Sequence, residues 1–437
     1  MKTIPFILML HAFAGIAPLY AGAPDRTDVL DWIAAGPAFD APAPGSVLGE
    51  DDAAIAQFLP PGYAEEFRFA GVRLTIDPRL DFFPHPVYRE ATARHLGEAQ
   101  LGADGRLEHY QAGRPFDPAG FTDLSAEDAG YQVAWNFIHR WQYYGWQLKE
   151  LSMNYLRPGA DSSPGRPGLR GGGHLERFVT QNYHRVYLSH LAMFPSDHYH
   201  VDVEGSDRYL FKDYMEFLEP FDVKGTQFVL ERALDPTEPD QVNSYLPGER
   251  RVRRLSAEER ADRFMGADLT MDDFEGFSGQ VLDYAWRYLG QRRVLAVVDA
   301  GGPLVEFFGP QSRVPDDRWQ LRDTHAVEIV PKWAGHPYAS KILFIDAQTW
   351  NVTVALAFNR DQQMWRILSP LYHMPEPASD PEGALETSVP RWTGTIAIDR
   401  IADTATISRA EDPTRVPTMK ASQIRRRFNV SNLTSGR

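Results

Sequence analysis

The sequence predicts an α+β protein that is predominantly antiparallel β-sheet. Two observations lead to this fold class. Aromatic residues make up 12% of the 437 residues, and 34 glycines and 33 prolines supply many turns, as expected for many short strands. In the last third of the chain, apolar segments follow one another with only short polar connections, which is the pattern of an antiparallel meander.

The composition excludes several classes of protein. Hydrophobic residues make up 43% and charged residues 24%, which is ordinary globular usage and excludes collagen, coiled coils and wholesale disorder. The net charge of −14 argues against nucleic acid as the main partner, because binding to phosphates needs a basic face. The absence of cysteine excludes disulfides, cysteine nucleophiles and thiolate metal sites.

Residues 1–23 have the pattern of a secretory signal peptide. Lys2 gives a positive start, an apolar stretch covers residues 4–16, and small residues occupy positions 21–23. This stretch is too short to span a bilayer. We therefore expect a cleaved signal peptide and a periplasmic mature chain with no transmembrane segment. An uncleaved amphipathic anchor is the alternative.

Residues 24–174 are predicted to form a mixed α/β N-terminal region. Residues 67–76 alternate like a strand. A helix is predicted from Ser125 to Leu148, because Ser125 can cap it and apolar residues recur at helical spacing. Residues 157–174 are rich in Pro, Gly and Ser and predict a flexible loop. The loop does not end in Gly-Lys-Ser/Thr, so it is not a phosphate-binding loop.

Residues 175–420 are predicted to form an antiparallel β domain, and residues 421–437 a loose basic tail. A hairpin is expected between Gln241–Leu246 and Arg250–Leu255, and a short helix at Gln280–Leu289. Some strands are apolar on both faces, which implies a sheet covered on both sides. Six strands are expected in the last third: Ala326–Val330, Lys341–Asp346, Val352–Asn359, Met364–Leu368, Thr393–Asp399 and Thr404–Ser408.

Three stretches carry a resemblance to a known family: residues 245–254, 272–286 and 341–350. The chain resembles the bacterial domain of unknown function family 1329, whose members are often labelled outer-membrane lipoprotein-sorting-protein-like. The resemblance implies a LolA/LolB-like fold, which is a strongly curved, unclosed β-barrel with helices packed in its concave face around an apolar cavity. It also implies a partnership with a resistance-nodulation-division type transporter or an outer-membrane protein. No catalytic residues come with this family.

The favoured function is a carrier or chaperone that binds a hydrophobic ligand, such as a lipid, without covalent chemistry or a cofactor. Aromatic and aliphatic side chains on the concave face would shield the ligand from water. A register error of one residue would exchange the two faces of a strand and so the set of lining residues. The alternative interpretation is that these residues form an ordinary filled core. Alternation selects nine candidate lining residues: Phe211, Met215, Phe217, Phe228, Leu230, Phe344, Val354, Leu356 and Trp365.

A metal-dependent enzyme is the rival hypothesis. If residues 198–204 form a strand, His198, His200, Asp202 and Glu204 share one face and could hold Zn²⁺ or a similar ion. A solvated strand face is the favoured interpretation of this pattern. Four further acids, Asp268, Asp272, Asp273 and Glu275, are better explained by capping and turn formation than by acid/base catalysis.

A third hypothesis is a non-enzymatic assembly factor that docks on a transporter. Arg250, Arg251, Arg253 and Arg254 form a basic island in an acidic protein. The island could bind acidic head groups or a partner protein, or it could protect a solvated sheet edge from aggregation. A lined cavity would favour the carrier, converging His and carboxylate groups the enzyme, and a filled barrel with an exposed patch the assembly factor.

Overall fold

The computed structural model describes residues 24–433, except residues 38–39, 161, 196 and 257. The predicted signal peptide lies outside the described residues. None of the described helices is long and apolar enough to cross a membrane. The described part of the chain forms six α-helices: α1 (Arg26–Ala35), α2 (Ala53–Phe58), α3 (Pro86–Arg94), α4 (Ala126–Ile138), α5 (Pro381–Thr387) and α6 (Ala421–Arg427).

One large sheet dominates the fold, with fifteen strands among the described residues. All neighbouring strands in it are antiparallel except one parallel pair, β2 and β14. Two small hairpins, β3–β4 and β12–β13, stand apart from it. The strands are β1 (Val47–Leu48), β2 (Leu74–Ile76), β3 (Gln100–Leu101), β4 (Leu107–Glu108), β5 (Gly145–Arg157), β6 (His174–Tyr187), β7 (Tyr209–Glu219), β8 (Gln227–Ala233), β9 (Gln241–Leu246), β10 (Arg251–Leu255), β11 (Tyr284–Ala296), β12 (Phe307–Phe308), β13 (Val314–Pro315), β14 (Arg318–Pro331), β15 (Ser340–Asp346), β16 (Val352–Phe358), β17 (Met364–His373), β18 (Arg391–Asp399) and β19 (Thr404–Ala410).

The sheet is strongly curved and unclosed. Its order is β1-β2-β14-β15-β16-β17-β18-β19-β5-β6-β7-β8-β9-β10, with β11 also paired to β14. In a flat sheet, ten steps of about 4.8 Å would separate β8 from β11 by about 48 Å. Yet the ring of Phe277 lies 5.0 Å from that of Trp286 on β11, while the next residue, Ser278, accepts a hydrogen bond from Arg232 on β8 at 2.7 Å. The sheet therefore wraps around this segment, which confirms the predicted fold class.

Both faces of the sheet carry an apolar core, as the sequence predicts. Along β15, Leu343 and Ile345 belong to the core on the concave face, together with α4. Ile342 and Phe344 belong to the core on the convex face, together with α1 and α2. The predicted meander is confirmed, since β14 to β19 follow one another in the sheet in chain order.

Three local predictions are wrong. The helix that begins after Ser125 ends at Ile138 rather than Leu148, because Gly145 has a φ of +103° and lies against the Arg185 backbone, where β5 begins. Residues 280–289 do not form the predicted helix: a single 3-10 turn covers Val281–Asp283, and pairing with β14 makes β11 a strand from Tyr284 onward. Of residues 67–76, only β2 is a strand.

The tail and the long loop are both tied to the rest of the fold. Ile424 and Phe428 of the predicted loose tail are buried in and just after α6. In the predicted flexible loop, Leu169 is buried, and the Arg170 amide donates to the Phe307 carbonyl at 2.8 Å. Because β5 lies between β19 and β6, the sheet takes strands from both sides of residue 174. The division into residues 24–174 and 175–420 stays a prediction.

Candidate functional site

The concave side of the sheet is occupied by residues 260–283, which we call the inner segment. It consists mainly of short 3-10 turns. The ring of Phe264 lies 6.0 Å from that of Phe217 on β7. Gly276 has a φ of +87°, and a Cβ atom there would lie 2.4 Å from the Val352 side chain on β16. The inner segment is therefore packed closely against strands that are far apart in the sheet.

A first group of buried ion pairs anchors Glu275 of the inner segment. Its carboxylate accepts hydrogen bonds from Arg140, just after α4, at 2.7 Å and from Arg185 on β6 at 3.1 Å. Arg185 also donates to Asp213 on β7 at 2.6 Å. Burial acts to lower the pKa of Arg185, but Asp213, Tyr183 and Tyr187 together outweigh it and raise the pKa well above its ordinary value. This side chain therefore stays charged inside the fold.

A second group anchors Asp273. Its carboxylate accepts hydrogen bonds from Lys341 on β15, from the Tyr338 hydroxyl at 2.7 Å and from the Thr270 amide at 2.8 Å. Burial acts to raise the pKa of Asp273, but Lys341, Arg366 and the Tyr338 hydroxyl together more than compensate and lower it. Lys341 also donates to the Gly276 carbonyl at 3.1 Å, so one cation holds two points of the inner segment.

A third group lies where β8 and β11 approach each other. Arg260 forms ion pairs with Asp240 and Asp272, and Tyr284 donates to Asp272 at 3.0 Å. Arg232 donates to Asp240 at 2.7 Å. The inner segment thus bridges the two arms of the sheet through buried charges.

The acidic residues of the inner segment form buried ion pairs in addition to the capping that the sequence predicts. The expected capping is present, because Thr270 and Asp273 form a capping box. The ion pairs are an additional finding. The sequence signal that could have found them is the presence of Arg185, Arg232 and Lys341 at positions that alternate with the apolar or aromatic residues of a strand face, such as Tyr183, Leu230 and Leu343. A buried cation needs a partner of opposite charge.

A cleft of about 540 Å³ opens beside the inner segment, between the C-terminal end of α4 and the ends of β7 and β8. This volume is within the range of small-molecule sites. The sequence analysis did not find the cleft. Its apolar and aromatic lining consists of Leu107, Tyr110, Trp135, Ile138, Leu210, Ala233, Leu234, Pro236 and Val281. Its ionic lining consists of Arg106, Asp207, Arg208, Arg232, Asp235 and Glu238.

Histidines and a tyrosine form one wall of the cleft. The ring of Tyr110 lies 4.2 Å from that of His139 and 4.6 Å from that of His190. Burial, followed by the proximity of His190, holds the pKa of His139 well below its ordinary value. Burial also lowers the pKa of His190. Both imidazoles are therefore neutral near pH 7, which makes this wall compatible with an apolar ligand.

A second cavity of about 50 Å³ lies between the inner segment and the inward faces of β5, β6, β18 and β19. Phe274 and Leu269 of the inner segment cover it, while Leu148, Met153 and Trp392 line its other sides. It has room for a few water molecules and not for an alkyl chain. The depth of the concave face is therefore filled by protein in this structure.

The predicted lining residues do not form one surface. Five lie in the core on the concave face, and three lie in the core on the convex face, so the residues chosen on β15 and β16 face away from those chosen on β7 and β8. A role of these residues in ligand binding stays a prediction. Trp365 is half-buried beside Tyr338 and Arg366. None of the nine is among the residues that line the cleft. The concave group is Phe211, Met215, Phe217, Phe228 and Leu230, and the convex group is Phe344, Val354 and Leu356.

The predicted strand at residues 198–204 is absent, because these residues form turns. The rings of His198 and His200 lie 4.8 Å apart, but Asp202 and Glu204 are exposed and share no strand face with them. Among the described residues, no group of three or more His, Asp or Glu side chains could hold a metal ion. The geometric argument for this alternative metal site is therefore lost.

The arginine island lies on β10, which is an edge strand paired only with β9, and on the turn before it. Arg250, Arg251, Arg253 and Arg254 are all exposed. Glu249 lies 3.0 Å from Arg251 and 3.7 Å from Arg253, so it neutralises part of the island. Protection of the edge and binding of a partner both remain compatible with this geometry.

Comparisons with known proteins identify relatives that cover about two thirds of the chain. An uncharacterized protein of Pseudomonas aeruginosa is 22% identical over 298 residues, which cover 64% of this chain and 57% of that relative. The chain therefore spans little more than half the length of this curated relative. The crystal structure of a DUF1329 family protein from Desulfovibrio piger covers 71% of this chain and all of its own, with 16% identity and a TM-score of 0.45.

A LolA superfamily protein from Nitrosomonas europaea covers 64% of this chain and 88% of its own, with 10% identity and a TM-score of 0.35. The sequence profile of the family described as "Protein of unknown function (DUF1329)" matches residues 49–434. This match includes the inner segment and all three stretches on which the resemblance was based. The chain therefore belongs to the DUF1329 family.

Proposed function

We propose that this protein is a non-enzymatic carrier or chaperone that binds a hydrophobic ligand, such as a lipid, in the cleft on the concave side of its sheet. The observation that carries the proposal is the 540 Å³ cleft with its apolar and aromatic wall. Burial of apolar ligand surface there would contribute about 25 cal/mol per Å². The ionic rim would orient the polar end of an amphipathic ligand.

The inner segment gives the cleft a fixed floor. Val281 lines the cleft, and the same segment is held in place through Asp272, Asp273 and Glu275. The filled interior means that the ligand binds at the mouth of the curved sheet rather than deep inside it. A ligand longer than the cleft would have to displace the inner segment, and this would break buried ion pairs.

The test is to block the cleft without changing the core. Ala233 lines it from β8, so an Ala233→Trp variant should fill part of its volume. Ile401, on the exposed turn between β18 and β19, is the site of the matched control, Ile401→Trp. Binding of a fluorescent fatty acid is measured for both variants and the wild type. Loss of binding in Ala233→Trp alone supports the carrier, and equal binding by all three proteins contradicts it.

The periplasmic location and a transporter partner are part of this proposal. They are motivated by the signal-peptide pattern at residues 1–23 and by the family resemblance. Cell fractionation with detection of the processed amino terminus tests the location. Detection of the full-length precursor in the cytoplasm would contradict it.

The assembly-factor hypothesis has one observation in its favour. The interior of the sheet is filled, and Arg251 and Arg253 are exposed on an edge strand. This candidate predicts that Arg251→Glu with Arg253→Glu abolishes association with a transporter while fatty-acid binding is unchanged. If the double variant keeps the association, this second candidate is wrong.

A further inference from the structure

The convex side of the sheet has a second cleft, which the proposed carrier function does not use. Strands β5 to β9 form its floor, and the end of α6 with the residues that follow it lies over it, together enclosing about 850 Å³. Along β6, Tyr183 and Arg185 point to the concave side, where they bond to Asp213. His184 points the other way and lines the second cleft. The sheet itself therefore separates the two clefts.

The lining of this convex cleft is strongly cationic. Lys149, Lys224, Arg426 and Arg427 contribute four cations, against a single carboxylate from Glu216. Among the described residues, no carboxylate oxygen lies within 4.0 Å of the side-chain nitrogens of these four cations. By contrast, Arg140, Arg185, Arg260 and Lys341 on the concave side all have carboxylate partners. The convex cleft thus has unmatched positive charge inside a protein whose net charge is −14.

A buried imidazole supplies a second and independent observation. The His184 side chain is only 4% exposed, and its Nδ1 atom is buried without a hydrogen-bond partner. Its ring is parallel to that of Tyr214, which is 6.2 Å away. Buried polar atoms are nearly always hydrogen-bonded in folded proteins. The cleft is therefore lined by a buried imidazole whose hydrogen-bonding capacity is not fully used by the protein.

Electrostatics keeps this imidazole neutral. Burial is the main cause, and Arg427 and Lys149 add to it, so that the pKa of His184 falls to about 3. A neutral imidazole carries one N–H donor and one acceptor nitrogen. It can therefore donate a hydrogen bond to an anion while the surrounding lysine and arginine side chains supply the charge.

We propose that the convex cleft is a binding site for a phosphate-bearing anion. Arginine and lysine are the residues that bind phosphate oxygens best. The volume of the cleft, about 850 Å³, is larger than the volume of a phosphate group alone. The ligand therefore has a further polar part, which Tyr214, Asn182 and Gln227 can contact. This chemistry fits the head group of an anionic phospholipid or a soluble phosphate ester.

The experiment uses one probe for each source of this chemistry. Glycerol 3-phosphate is titrated calorimetrically, and co-sedimentation is measured with vesicles of phosphatidylglycerol and phosphatidylcholine, and of phosphatidylcholine alone. The test variant carries Lys149→Gln and Arg427→Gln. The control carries Arg68→Gln and Arg73→Gln, which makes the same change in charge at two exposed positions that line neither cleft. Thermal unfolding establishes that both variants are folded.

If the anion binds in the convex cleft, the test variant should bind the probe at least about tenfold more weakly than the wild type, because two charge-assisted hydrogen bonds are lost. The control should bind the probe like the wild type. His184→Phe keeps the ring and removes the nitrogens, so it should also weaken binding. Binding of glycerol 3-phosphate identifies a soluble ester, and binding of phosphatidylglycerol vesicles alone identifies a lipid head group. Binding of neither probe, or equal loss in the test and control variants, would overturn the proposal.

Discussion

Replacing Lys341 by Met tests whether buried charge holds the inner segment in place. Lys341 is 3% exposed and Asp273 is 1% exposed. In Lys341→Met, the carboxylate of Asp273 keeps its bonds from Tyr338 and Thr270 but loses its ammonium partner. Removing one member of a buried ion pair costs about 3–5 kcal/mol, because the other charge stays buried. The Gly276 carbonyl also loses a donor, so we expect the upper part of this range.

The assay is guanidinium unfolding, in which the midpoint falls while the slope stays constant if only stability changes. Arg157→Met is the control, since Arg157 bonds to Glu176 at 2.7 Å but both side chains are about half exposed. An exposed pair is worth about 0–1 kcal/mol. The double variant Lys341→Met with Asp273→Asn should lose less than the sum of the two single variants. A loss below about 1 kcal/mol in Lys341→Met would refute this account of the inner segment.

Three further outcomes are expected. Phe344→Ala should cost about 3–5 kcal/mol of stability and leave fatty-acid binding unchanged, because Phe344 packs on the convex side, edge-on to Trp32; weaker binding without loss of stability would contradict this. Gly130→Ala should lower the free energy of unfolding by about 1–3 kcal/mol, because its Cβ atom would lie 2.7 Å from the backbone of Trp286. An unchanged denaturation midpoint would show that α4 can move. Burial lowers the pKa of His336 from 6.5 to about 4. Between these two pH values the unfolded chain binds a proton that the folded chain does not, so stability falls by up to about 1.4 kcal/mol per pH unit as the pH decreases. The free energy of unfolding, measured from pH 7 to pH 4, should depend less steeply on pH in His336→Gln, and an equal dependence would contradict the assignment.

The sequence predicts those parts of the fold that short-range patterns decide. The strand Lys341–Asp346 is observed as Ser340–Asp346, because an apolar segment between short polar loops can pair only with its neighbours. The predicted hairpin is also observed: its first strand has the expected bounds, Gln241–Leu246, and its second begins one residue later, at Arg251. Ser125 caps α4 as expected, since its hydroxyl accepts from the Asp128 amide at 3.0 Å.

The candidate site depends on long-range geometry that the sequence does not contain. In β15, Phe344 and Ile345 are equally apolar, so alternation alone cannot assign the concave face. The ion pair between Arg140 and Glu275 joins residues that are 135 positions apart. The cleft also combines side chains from distant segments, such as Tyr110 and Leu234. These contacts exist only because the sheet curves until its two arms approach the same segment.

The most direct test of the carrier function is photo-crosslinking with a fatty acid that carries a diazirine on its alkyl chain. The labelled positions are mapped by mass spectrometry after proteolysis of the full-length processed protein. The account predicts labels on the cleft wall, around Tyr110, Ile138 and Leu234, and their loss in Ala233→Trp. Labels confined to the convex side, or labelling that Ala233→Trp leaves unchanged, would contradict a ligand site on the concave face.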